Sequence, residues 1–258
     1  MRLLPLLLLT HAFAPAAAQL PAEQPLELVT GEYSPYISQQ LPRRGLITEI
    51  VEEAFRIQGY QTQIQLLPWK RGYDLAKGGE FFGTFPYVKT PERARDFVYS
   101  EPVFTIRNML FVQREAPHRF RRDDDLRGLV VCKALGYYTN DIADLLEAGI
   151  LTLQRVPALE NCFKMLRRGR VDLVPIDSPI GWQHINDLYG ESGVEWFRTL
   201  EEPIDTVPLH LMVARDHPHV EDVLAVFNAG LAQLAVSGAL QEIYNRHPEA
   251  RASQPTTP

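Results

Sequence analysis

Leu46-Ile47-Thr48-Glu49-Ile50-Val51-Glu52-Glu53-Ala54-Phe55-Arg56-Ile57 decides the fold. Ile47, Ile50, Val51, Ala54 and Phe55 recur at helical spacing, so one apolar stripe runs down an otherwise acidic helix. On one side of it Leu26-Glu27-Leu28-Val29-Thr30 reads as a strand, left through the turn-forming Tyr33-Ser34-Pro35-Tyr36. On the other side Thr62-Gln63-Ile64-Gln65-Leu66-Leu67 alternates like a second strand. Strand, helix and strand in that order form a β-α-β unit.

The alternation continues outward. A helical stretch from Lys70 to Lys77 leads through Gly78-Gly79 into a strand over Phe81 to Tyr87, and Val103 to Val112 reads as a long extended segment. The pattern then restarts: strand at Gly128 to Cys132, helix at Asn140 to Glu147, strand at Leu151 to Arg155, helix at Leu159 to Arg168, strand at Val171 to Pro175. Such alternation implies mostly parallel sheets flanked by helices, with ligands held beyond the carboxyl ends of the strands. Pro208 to Ala214 and the helical Val220 to Val236 have no sheet of their own, and are expected to return to the first unit.

Composition narrows the function. The 258 residues carry a net charge of −6 with both signs interspersed and no basic stripe, which argues against a nucleic-acid partner. The run Arg121-Arg122-Asp123-Asp124-Asp125 reads as a solvated turn. Met1-Arg2, the apolar Leu3 to Leu9 and the small residues Ala16-Ala17-Ala18 form a secretory signal with cleavage expected after Ala18. No later stretch approaches the roughly 18 apolar residues of a membrane span. No cysteine lies near the cleavage site for a lipid anchor, so the chain is expected free in the periplasm. The seven histidines are scattered, so neither a metal nor a cofactor is expected. Cys132 and Cys162 are an even pair in an oxidising compartment, on elements that pack side by side; a disulfide is expected over two buried thiols.

Thr90-Pro91-Glu92-Arg93, just ahead of Phe97-Val98-Tyr99-Ser100-Glu101-Pro102, offers one arginine at the end of an apolar segment. A guanidinium is a planar fork of donors that grips a carboxylate through two parallel hydrogen bonds. Asp177, in Pro175-Ile176-Asp177-Ser178-Pro179, is either the partner of a cation or a helix cap.

With Tyr33, Trp69, Gly136-Tyr137-Tyr138, Gly169-Arg170-Val171-Asp172 and Ser237-Gly238, these residues resemble the periplasmic solute-binding proteins of polar amino-acid ABC transporters, bacterial extracellular solute-binding protein family 3. The likeness runs over nearly the whole chain after residue 18. It implies a two-lobe α/β periplasmic binding protein fold of type II, each lobe a mostly parallel sheet flanked by helices, with the ligand cleft between lobes. The expected division is a signal peptide at 1–18, lobe one at 24–105 and 206–250, lobe two at 106–205, and a disordered tail at 251–258. Phe104-Thr105-Ile106 and Ile204-Asp205-Thr206 would cross between lobes.

The resemblance further implies that Arg93 takes a ligand α-carboxylate and Asp177 its α-ammonium, that Tyr33 and Trp69 contact the ligand side chain, and that Gly136, Tyr137 and Tyr138 meet the carboxylate from the second lobe. Pro86 and Val88 stand where the family usually has small hydroxyl residues, and Tyr137 and Tyr138 where it has Ser or Thr, so the ligand site is more aromatic than is usual. The expected function is capture of an amino acid or related small carboxylate by a monomeric, non-enzymatic protein that presents it to an ABC permease. The alternatives are a cyclohexadienyl-dehydratase-like enzyme, with Asp177 or Glu160 as its acid, and a sensor that docks on a membrane receptor.

Overall fold

The computed structural model describes Leu20, residues 24–135, Tyr137 and residues 139–251. The expected signal segment, Gly136, Tyr138 and residues 252–258 lie outside the described residues. Strand β1 (Leu26–Thr30), helix α1 (Leu46–Ile57) and strand β2 (Thr62–Leu66) form the anticipated unit, followed by α2 (Trp69–Lys77) and β3 (Gly83–Val88). Strand β4 (Phe97–Gln113) leads into β5 (Val130–Ala134), α3 (Ala143–Glu147), β6 (Thr152–Val156), α4 (Leu159–Arg167) and β7 (Val174–Asp177). Helices α5 (Ser178–Tyr189) and α6 (Gly193–Trp196) precede β8 (Phe197–Ala214), and α7 (Val220–Ser237), α8 (Ala239–Arg246) and α9 (Pro248–Arg251) close the chain. Arg251, assigned to the expected tail, ends α9.

The sheet order is β2-β1-β3-β8-β4-β7, with β5 and β6 paired separately. β1 pairs in parallel with both β2 and β3, so both its edges are used and its side chains are almost all buried. Two findings differ from the sequence reading. The strand-like Phe97–Pro102 and the extended Val103–Val112 are one unbroken strand, β4, and β8 begins at Phe197, not Pro208. These strands pair antiparallel from Phe97 opposite Ala214 to Gln113 opposite Phe197, and β3 with β8 and β4 with β7 are antiparallel too, so only the β2-β1-β3 flank of the sheet is parallel. β5 joins the same body through the backbone N–H of Cys132, which donates to the carbonyl of Leu173 at 2.8 Å.

The buried apolar residues divide along this pair of strands. One set takes Leu28, Ile50, Phe55, Phe85 and Phe104 from the first part of the chain and Leu209 and Phe227 from the last; another takes Phe111, Cys132, Phe163, Val174 and Phe197 from the middle. Cys132 and Cys162 are joined in the expected disulfide, their Cα atoms 5.5 Å apart. Helix α7, with mean hydropathy 1.3, is long and apolar enough to cross a membrane, although the sequence reading found no later stretch of that kind. Here it packs on α1. Phe227 lies 5.0 Å from Phe55 ring to ring, and Gly230 sits so close that any Cβ there would come within 1.9 Å of the Ala54 carbonyl. Burying a phenylalanine such as Phe55 contributes about 1.5–3 kcal/mol, so this contact is a principal tie of the first core.

Candidate functional site

A cavity of about 570 Å³ opens where β1, β3, β5 and β7 end. Each strand delivers its side chains at its carboxyl end, where the chain turns into a loop or helix and backbone groups are no longer tied up in the sheet. Tyr33 follows β1, Trp69 opens α2, and Pro86, Tyr87 and Val88 finish β3, with Arg93 in the turn beyond. From the other side come Lys133 at the end of β5, Tyr137 just after it, and Ile176 and Asp177 at the end of β7. Ile106 and Asn108 of β4, Ile180 of α5, and Val207 and Leu209 of β8 complete the lining. Seven of the nine residues expected at a ligand site therefore face one space: Tyr33, Trp69, Pro86, Val88, Arg93, Tyr137 and Asp177. Gly136 and Tyr138 are outside the described residues.

Arg93 is aimed by its own neighbours. Its Nη1 donates to the carbonyl of Val88 at 2.9 Å, and the guanidinium carbon lies 5.1 Å from the centre of the Tyr87 ring. A cation over an aromatic face is attracted by the ring quadrupole, which steadies the fork without using up its donors. Asp177 occupies the N-cap position of α5, as its cap reading expects, but without a side-chain capping bond. That side chain instead accepts from the Tyr36 hydroxyl at Oδ2 and from the Arg107 backbone N–H at Oδ1, the latter at 3.3 Å. It is buried to 1% exposure, so these donors replace the water it has lost.

The aromatic side of the cavity is braced. The Trp69 indole N–H donates to the Glu32 carbonyl at 3.1 Å, and the ring rests on Gly31, where a Cβ would come within 2.5 Å of it. Tyr33 and Tyr87 meet the indole edge-on, at 6.3 and 5.5 Å between ring centres. Burial, with the nearby Asp177 and Tyr137, raises the Tyr33 hydroxyl far above the usual phenol range, so it stays a protonated donor.

Lys133 and Asp141 were missed. The Lys133 ammonium donates to Asp141 Oδ2 at 2.5 Å, the Asn108 amide lies 3.4 Å from the same oxygen, and both charged side chains are almost wholly buried. Burial pushes the lysine pKa down and the aspartate up, each partner opposing the shift of the other. The sequence signal was a lone lysine inside an otherwise apolar strand. Tyr36 was also missed, although it shares the Tyr-Ser-Pro-Tyr loop with Tyr33. Glu160, the other acid weighed for catalysis, does not line the cavity; its Oε1 lies 3.2 Å from His184 Nδ1. The Ser34 hydroxyl and the Gln183 amide, far apart in sequence, approach to 3.4 Å. Among the described residues no cluster of His, Cys, Asp and Glu could hold a metal ion.

The sequence profile of bacterial extracellular solute-binding proteins, family 3, matches residues 28–249. No curated protein sequence matches the chain. Among solved structures, the second substrate-binding domain of GlnP from Lactococcus lactis, in its open conformation, is similar with a TM-score of 0.66 at 16% identity, covering 90% of this chain and 98% of that one. The GluR0 ligand-binding core from Nostoc punctiforme, bound to L-glutamate, gives 0.61 at 19%, covering 87% of this chain and all of the other. A histidine kinase sensor domain with similarity to periplasmic binding proteins gives 0.63 at 20%, covering 86% and 95%. The likeness to all three is one of fold.

Proposed function

The chain belongs to the bacterial extracellular solute-binding proteins, family 3, and on that footing we propose that it captures an amino acid or related small carboxylate in the cavity between its lobes. Residues 24–105 with 206–250 form the first lobe in this reading, and 106–205 the second. The middle of the paired β4 and β8, near Thr105–Ile106 and Val207–Pro208, is the hinge. A few residues at such a crossing absorb the change in backbone angles when lobes close. The protein acts in the periplasm, without chemistry of its own, and its closed form is what an ABC permease recognises.

One observation carries the proposal. Arg93 and Asp177, a carboxylate fork and a carboxylate, face the same cavity from elements on opposite sides of that crossing. A zwitterion held by both favours the closed form over the open one, and an equilibrium shifts only by that difference in affinity. Arg93→Ala should abolish binding in a calorimetric titration against an amino-acid panel, losing on the order of 2–5 kcal/mol, with the far-ultraviolet circular dichroism unchanged. An unchanged affinity would take Arg93 out of the site. A sensor role draws support from the sensor domain among the structural relatives. It uses the same closure, and a partner pull-down separates a receptor from a permease.

A further inference from the structure

Three charged side chains line the cavity: Arg93, Lys133 and Asp177. Lys133 is matched from within its own side, because its ammonium lies 2.5 Å from Asp141 and the pair is sealed from water. An acidic ligand side chain would compete with Asp141 for that ammonium. A basic one would set a second cation beside it. Arg93 and Asp177 are the other two, one of each sign, a match for one α-carboxylate and one α-ammonium.

The rest of the wall is apolar or aromatic. Branched aliphatic side chains of β4, β7 and β8 line the cavity, and Trp69 stands beside them as a plate held by three neighbours: Gly31 against the ring, and Tyr33 and Tyr87 with their rings nearly perpendicular to it. Trp69 remains 36% exposed, and Tyr137 40%. A large aromatic surface held in one orientation and left partly uncovered loses little entropy when a second flat group settles on it. The volume of about 570 Å³ is within the range of small-molecule sites and leaves room beside the charged pair for a bulky group.

Building on the amino-acid reading above, we infer that the ligand is an amino acid with a large, flat, uncharged side chain, its ring laid against Trp69, and not one of the polar amino acids. The discriminating experiment titrates the full chain with L-phenylalanine, L-tyrosine and L-tryptophan, and in parallel with L-glutamine, L-glutamate and L-arginine. At least one aromatic amino acid should bind about tenfold or more tighter than every polar one, the order of magnitude of one added stacking contact. Trp69→Ala should then cost the aromatic ligand about tenfold while changing the weak polar ligands little. A polar amino acid binding tightest, or Trp69→Ala weakening both groups alike, would overturn the inference and leave the amino-acid reading standing. No binding by either group would overturn the inference and leave only the related small carboxylates of the proposed function as ligands. The panel on the unaltered chain decides the matter even if the Trp69 variant folds poorly.

Discussion

Glu49 and Asp141 are both carboxylates removed from water, and they are held in opposite ways. Glu49, on α1, receives Arg43 Nε at 2.7 Å, Arg246 Nη2 at 2.7 Å and His247 Nε2 at 2.7 Å, donors from the loop before α1 and from the end of the chain. Burial alone would raise its pKa, but the hydrogen bonds from Arg246 and His247 outweigh it and hold the carboxyl below its usual range. Asp141 has one ammonium and one distant amide on a single oxygen, while Oδ1 has no hydrogen-bond partner among the described residues, and its pKa is raised. The first arrangement ties segments together. The second keeps an under-satisfied charge pair against the cavity wall, where a pair of apolar residues would fill the space at no electrostatic cost.

The largest test of that contrast removes one partner of the second pair. Asp141→Ala should lower unfolding stability by about 3–5 kcal/mol in urea titration, because it leaves the buried Lys133 ammonium without its carboxylate. The double change Lys133→Met with Asp141→Leu should restore most of the loss. If the double variant stays as unstable as the single one, the pair is a structural tie after all and the contrast with Glu49 fails.

Next in size is the disulfide, which fixes the strand residue beside Lys133. Replacing both Cys132 and Cys162 by Ala opens a loop spanning 30 residues of sequence separation and should cost about 3–4 kcal/mol in the same assay. A cost under about 1 kcal/mol would show that β5 is held by its packing alone.

The smallest effect is at Glu49. Two of its partners, Arg43 and Arg246, are half exposed, so Glu49→Gln should cost only about 1–2 kcal/mol at neutral pH. Its folded pKa lies below the unfolded value, so its contribution is present above the ordinary glutamate pKa and is lost as pH falls through the folded one. Acid unfolding should therefore flatten in the variant below about pH 4. An acid limb identical to that of the unaltered chain would mean that other carboxylates set it.

What could be read in advance follows the range of the physics. Helix α1 was legible because its stripe is a local, periodic property. The first half of β8 was not: Arg198, Glu201, Glu202 and Asp205 look like loop, yet this stretch pairs only with β4, leaving an edge where polar side chains meet water. Arg93 and Asp177 were found through the resemblance and stand on the same cavity. Tyr36 went unnoticed because its partner lies 141 residues away, and Lys133 because a lysine's type predicts exposure while its environment is made by elements distant in sequence. Pairings made only by tertiary structure leave no local trace.

The close seat of Gly230 on Ala54 bears on how the molecule is made. A ribosome delivers α1 early and α7 almost last, so Phe55 and its neighbours stay uncovered through most of synthesis. The middle segment, by contrast, has its apolar residues from Phe111 to Phe197 in hand before β8 is complete. The residues of the middle core are thus all present before those of the first, which lacks Leu209 and Phe227 until the end. A chain that stops short of Val207 leaves the first core incomplete and its apolar side chains open to aggregation and proteolysis.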